Sequence, residues 1–82
     1  MKNEITLTGV SALGCLVGSP AMVDLNNGKG CTTSRVERIE HLGHMAVGGY
    51  CVEIETLNSV YRLQDVNKLE YFKTLEWQQG AI

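Results

Sequence analysis

The stretch from residue 50 to residue 63 constrains the fold of this chain more than any other. Within Tyr50–Thr56, β-branched residues alternate with cysteine and glutamate. Because successive side chains of a strand point to opposite faces, this period of two predicts a half-buried strand. A short turn at residues 57–59 leads into Val60–Leu63, where Tyr61 and Leu63 fall on the side of the core. Two alternating runs joined by a short Asn-containing turn predict a β-hairpin.

The preceding half of the chain also favours short strands. Ile5–Val10 begins with alternation, and Ala21–Leu25 is a short apolar run. Residues 26–30 read Asn-Asn-Gly-Lys-Gly, and they predict a tight turn because Asn and Gly tolerate a positive φ. Val36 and Ile39 are three residues apart, which breaks a strict period of two. We predict an irregular strand with a β-bulge there, with a helix as the alternative.

The remaining segments are a loop and an ambiguous tail. Residues 41–49 contain three glycines and predict a loop with solvated histidines. After Asp65, which can cap a helix, apolar residues recur at every third position, and this spacing predicts a short helix from Val66 to Trp77. Tyr71, Leu75 and Trp77 also alternate as they would in a strand. We therefore expect a mainly β fold, a small antiparallel barrel or curled sheet of four to six strands, with a possible C-terminal helix.

Size and composition limit the chain to one ordinary globular domain. Residues 1–82 are long enough for a single small domain, and domains of this size often depend on oligomerisation or on a partner. No run approaches the roughly 18 apolar residues of a membrane span, so we expect no membrane. The three cysteines form an odd, widely spaced set. That pattern favours reduced thiols in a cytoplasmic protein over a disulfide framework.

Known chemical motifs are incomplete in this sequence. Two cysteines and two histidines fall between residues 31 and 51, but the close cysteine pairs of a structural zinc site are missing. The Gly28–Thr33 segment lacks the glycine spacing of a P-loop, and Gly30 follows Lys29 where Ser or Thr is required. Cys51 has no histidine near it in sequence to activate a thiolate. We therefore predict no catalytic residues, metal or cofactor, and no enzymatic activity.

Binding by surface contact is the function that the residues allow. Tyrosine and arginine are over-represented where proteins bind partners. The chain carries such residues on and beside the predicted strands, and the candidate binding residues are Ser34, Arg35, Arg38, Tyr50 and Arg62.

Part of the chain follows a family pattern. The residues that carry it are Thr33-Ser34-x-Val36-x-x-Ile39 and then Val52-x-Ile54-x-Thr56-x-Asn58-Ser59-x-Tyr61-x-Leu63. This pattern resembles small phage and bacterial proteins with SH3-like barrels, most of which have no assigned activity. The resemblance implies an SH3-like barrel encoded by a phage or mobile element that acts by binding. It does not extend to the segment after Leu63.

These observations give three hypotheses of function. The first is a non-enzymatic inhibitor or adaptor that binds a host protein, such as an anti-CRISPR-like anti-defence protein in the host cytoplasm. The second is an oligomeric sponge for a small nucleotide, whose phosphates would contact Thr33, Ser34, Arg35 and Arg62. The third is a nucleic-acid-binding regulator, which the net charge of −2 disfavours. A homo-oligomer is compatible with all three.

Overall fold

The expected mainly β architecture is confirmed: six strands form one curled half-barrel sheet, followed by a short helix. The computed structural model describes residues 2–46 and 48–79, with side chains as far as Glu76. The elements are β1 (Asn3–Thr8), β2 (Val10–Gly14), β3 (Pro20–Leu25), β4 (Gly30–His44), β5 (Tyr50–Thr56), β6 (Ser59–Val66) and α1 (Lys68–Gln79). Within the described chain, no helix is long and apolar enough to cross a membrane.

The order of strands across the sheet is β1-β6-β5-β4-β3-β2. All neighbours are antiparallel except β1 and β6, which run parallel with Asn3 opposite Ser59. β1 and β2 are at opposite edges, yet only Gly9 separates them in the chain. The Gly9 N–H donates to the Gln64 carbonyl of β6, and the Gly9 carbonyl accepts from Asn26 N–H just after β3. Gly9 thus ties both edges together at one end of the sheet, and the sheet curls.

The core lies on the concave side of this sheet. Val52, Ile54 and Leu63 are fully buried there, and Tyr61 packs against the same cluster. The alternation of the sequence in β5 and β6 predicted these directions correctly. The other buried apolar residues of the cluster are Val10, Leu13, Cys15, Ala21, Val23, Val36, Val66 and Tyr71.

β4 is longer than the sequence suggested. The predicted bulge is confirmed, because the register with β5 shifts between Val36 and Arg38. The prediction of a loop from residue 41 is wrong in its first part, since the ladder with β5 continues to His44. A second register shift beside Gly43 makes this possible, and glycine accepts the φ of 85° found there.

The C-terminal helix is confirmed, but it begins at Lys68 rather than at Val66. Val66 is the last residue of β6, and Asn67 rather than Asp65 caps the helix, since Asn67 Oδ1 accepts from Leu69 N–H at 2.9 Å. Among the α1 side chains that the structure describes, Tyr71 and Thr74 are buried. The side chain of Trp77, predicted to end the helix, lies outside the described residues.

Candidate functional site

Two of the predicted binding residues lie together on the convex face of the sheet. Glu53 of β5 is opposite Arg62 of β6 in register, and its Oε2 accepts from Arg62 Nη2 at 2.9 Å. On the other side, Arg38 Nη2 of β4 is 3.6 Å from Glu53 Oε1. Glu53 therefore joins Arg38 and Arg62 across three neighbouring strands.

The ion pairs continue along the same face. Glu55 accepts from Arg38 Nε at 3.1 Å and from Lys2 Nζ at 2.6 Å. The hydrogen bond from Lys2 has the largest effect in lowering the pKa of Glu55, and the hydrogen bond from Arg38 has the next largest. Lys2 Nζ also lies 3.8 Å from Glu37 Oε1. Positive and negative groups thus alternate on this convex charged face, which is neither a basic nor an acidic patch.

Ser34 and Arg35 come before the bulge, in the part of β4 that pairs with β3 rather than with β5. Arg35 is opposite Pro20 of β3, on the far side of the bulge from Arg38, and Arg62 lies two strands away on β6. The side chain of Thr33, which the sponge hypothesis expects to contact a phosphate, is buried. Its Oγ1 donates to the Ser34 carbonyl at 2.6 Å and accepts from Ala21 N–H at 3.0 Å.

A groove of about 190 Å³ runs beside Arg62 between β1, β6 and β5. Glu4 and Glu53 line it together with Arg62, Thr6 and Gln64. Arg62 is already paired with Glu53, and two carboxylates against one guanidinium repel an anionic ligand. The groove therefore does not favour a phosphate-bearing nucleotide.

An aromatic cluster lies elsewhere, where α1 meets the end of β4 and the start of β5. The Tyr50 ring is 4.6 Å from the Tyr71 ring, 5.3 Å from Phe72 and 5.1 Å from His44, measured between centroids. Such distances are typical of aromatic pairs that stabilise each other beyond simple burial. Tyr50, the remaining predicted binding residue, is thus at the centre of a cluster separate from the arginines.

Part of this cluster is open to solvent. Tyr71 is buried with 5% of its surface exposed, but Phe72 next to it is 43% exposed. Leu69 is 76% exposed, and its position three residues before Phe72 puts it on the same side of α1. We call the surface formed by His44, Tyr50, Leu69 and Phe72 the aromatic patch. Sequence reasoning missed Leu69 and Phe72 because their spacing is equally typical of a core-facing stripe.

Two of the three cysteines are held as neutral thiols. Burial raises the pKa of Cys15 to about 12. Burial also raises the pKa of Cys51, and its neighbours Arg62 and Glu53 have smaller, opposing effects. A neutral thiol is a poor nucleophile and a poor metal ligand. In the part of the chain that the structure describes, no three His, Cys, Asp or Glu side chains are grouped to hold a metal ion.

Comparison of the chain with protein-family models, with curated proteins and with solved structures gave no match.

Proposed function

We propose that this chain is a non-enzymatic binding protein of a phage or mobile element, which covers the surface of a host protein such as a defence component. The observation that carries the proposal is the exposed aromatic patch, above all Leu69 and Phe72. Solvent-exposed apolar side chains that adjoin one another mark interaction surfaces.

The patch has the features of a binding anchor. Complete burial of a leucine or phenylalanine side chain contributes roughly 1.5–3 kcal/mol, and both side chains still have much of that area to bury. Phe72 is held by edge contacts with Tyr50 and Tyr71, both at 5.3 Å between centroids. Because the ring is already positioned, binding a partner would require little additional ordering.

The residues of the phage-like pattern stabilise the fold, whereas the proposed binding residues lie elsewhere in the chain. Thr56 Oγ1 accepts from Ser59 N–H and donates to the Ser59 carbonyl, both at 3.2 Å, across the β5–β6 turn. These motif residues stabilise the hairpin. The patch residues Leu69 and Phe72 lie outside the resembling segment, which is where proteins that share a scaffold are expected to differ in partner.

The proposal is tested by affinity capture from bacterial lysate with three forms of the chain. The test variant is Leu69→Glu, which places a charge in the patch at a helix N-terminus that tolerates an acid. The matched control is Leu57→Glu on the β5–β6 turn, where the leucine is 65% exposed. We expect wild type and the control to retain the same bacterial protein, and Leu69→Glu to retain about tenfold less of it.

A cellular assay checks that the captured protein is relevant. In bacteria that carry the captured protein's defence system, wild type and Leu57→Glu should restore phage infection, whereas Leu69→Glu should not. Equal capture by all three forms would contradict the proposal. So would a large thermal stabilisation by a cyclic or ADP-ribose-type nucleotide with no protein retained, which would indicate the sponge hypothesis.

A further inference from the structure

The outer edge of β1 is an open hydrogen-bonding surface. The ladder to β6 begins with Asn3 N–H donating to the Asn58 carbonyl and ends with Gly9 N–H donating to the Gln64 carbonyl, both at 3.0 Å. In a parallel ladder alternate residues face the partner strand. The N–H and C=O groups of Glu4, Thr6 and Thr8 therefore point away from β6, and among the described residues no strand pairs with that side.

The two edges of the sheet differ in how well they are protected against the addition of another strand. At the β2 edge, the Leu13 N–H donates to Glu70 Oε1 of α1 at 3.1 Å, and the register is broken beside Ser11. Both features hinder the addition of another strand. β1 has a continuous register with β6 over six residues, without proline or bulge. A long regular edge of this kind is one that soluble proteins normally protect.

The side chains of β1 form a palindromic pattern around Thr6. Ile5 and Leu7 are half-buried on the core side, while Glu4, Thr6 and Thr8 are exposed on the other side. A two-fold axis requires a surface that is complementary to itself, and an antiparallel strand pair centred on one residue has that symmetry.

We propose that a second copy of this chain binds along β1, antiparallel, with the two-fold axis at Thr6. Thr6 then faces the partner's Thr6, and Glu4 faces the partner's Thr8, so no like charges oppose each other. In an antiparallel pair, two opposite residues whose N–H and C=O groups both point toward the other strand exchange two hydrogen bonds.

The side chains on the core side of β1 fit a second copy of the chain better than an arbitrary peptide. Ile5 would face the partner's Leu7 in a non-hydrogen-bonded pair, where side chains approach most closely. Each copy covers the half-exposed aliphatic edge of the other, and two half-barrels join into one continuous sheet. The pairing leaves the aromatic patch accessible, because α1 packs on β2 and β5.

The dissociation constant of the dimer, measured by sedimentation equilibrium, tests the proposal. Thr8→Glu places a glutamate opposite Glu4 of the second copy twice in each dimer, and it should raise the dissociation constant about tenfold. The double variant Glu4→Lys, Thr8→Glu converts both repulsive pairs into opposite-charge pairs and should restore dimerisation. Thr32→Glu, the same change at an exposed threonine of β4 opposite Met22 of β3, should leave the dissociation constant unchanged.

A chain that remains monomeric at roughly millimolar concentration would overturn the proposal. A dimer that Thr8→Glu does not weaken, or that the double variant does not restore, would overturn it as well. None of these substitutions touches the aromatic patch, so these results are independent of those from the capture experiment.

Discussion

His41 is a residue whose chemistry depends on its neighbours. Its ring packs edge-on against Tyr71 at 5.2 Å, and its Nε2 lies 3.2 Å from Thr74 Oγ1. The Thr74 hydroxyl donates its proton to the Tyr71 carbonyl at 2.8 Å, so it accepts from His41. A neutral His41 therefore carries its proton on Nε2. Burial lowers the pKa of His41 because the charged ring is poorly solvated there.

Acid should therefore weaken the fold through His41. Below the ordinary pKa of 6.5, the unfolded chain binds a proton at this residue before the folded chain does. The stability associated with neutral His41 is present above pH 6.5 and is lost as the pH falls through the lowered folded value. We expect a loss of less than about 1 kcal/mol, because solvent screens the half-buried ring.

Urea unfolding at about pH 7.5 and about pH 5.5 measures this loss. His41→Gln should reduce the difference in the free energy of unfolding between the two pH values. His44→Gln, at an exposed histidine, should leave that difference as in wild type. If the two variants behave alike, His41 is not the group responsible.

α1 is held to the sheet by polar contacts as well as by packing. Glu70 Oε1 accepts from Leu13 N–H of β2, and the Tyr71 hydroxyl accepts from Gly43 N–H of β4 at 3.0 Å. Both acceptors bond backbone N–H groups of the sheet. The helix is thus hydrogen-bonded to two different strands.

Removing one of these contacts should have a measurable cost. In Glu70→Ala the Leu13 N–H loses a charged acceptor, and we expect the free energy of unfolding in urea to fall by about 1–3 kcal/mol. Glu70→Gln retains an oxygen acceptor and should lose less. Equal stability of wild type and Glu70→Ala would show that water replaces the carboxylate without cost.

The helix also shows why some elements were predictable and others were not. β5 and β6 alternate locally, so their core and solvent sides follow from the sequence. In α1 the three-residue spacing predicted a helix, but it gave no indication that Leu69 and Phe72 would be exposed. Thr74 is buried instead because His41 and the Tyr71 carbonyl satisfy its hydroxyl. That partnership spans 33 residues of sequence and leaves no local signal.

Across the sheet, single strands could be predicted from the sequence, whereas their order and pairing could not. Arg38 and Arg62 were predicted as binding candidates, and their meeting at Glu53 follows from strand order, which the sequence does not state. The bulge after Val36 was predicted from spacing, yet only the pairing with β3 shows that Arg35 lies apart from Arg38. The parallel pairing of β1 with β6 is non-local and has no pattern of its own.

Gly9 connects the two edge strands β1 and β2. A substitution there should therefore destabilise the whole sheet. Its φ of 77° is in the left-handed region, and a Cβ would lie 3.2 Å from the Asn26 side chain. A left-handed non-glycine residue costs roughly 1–2 kcal/mol, so we expect Gly9→Ala to lower the free energy of unfolding by about that amount. Gly14→Ala is the control, because its Cβ meets no atom within 4 Å and its φ is not left-handed.

Native-state hydrogen exchange locates the effect. Because Gly9 is bonded to β6 and to the end of β3, the loss in Gly9→Ala should reach amides on both sides of the junction, in β1 and in β2. Faster exchange confined to one of the two strands would mean that the edges open independently. Equal unfolding midpoints for the two alanine variants would contradict the role of Gly9 in closing the half-barrel.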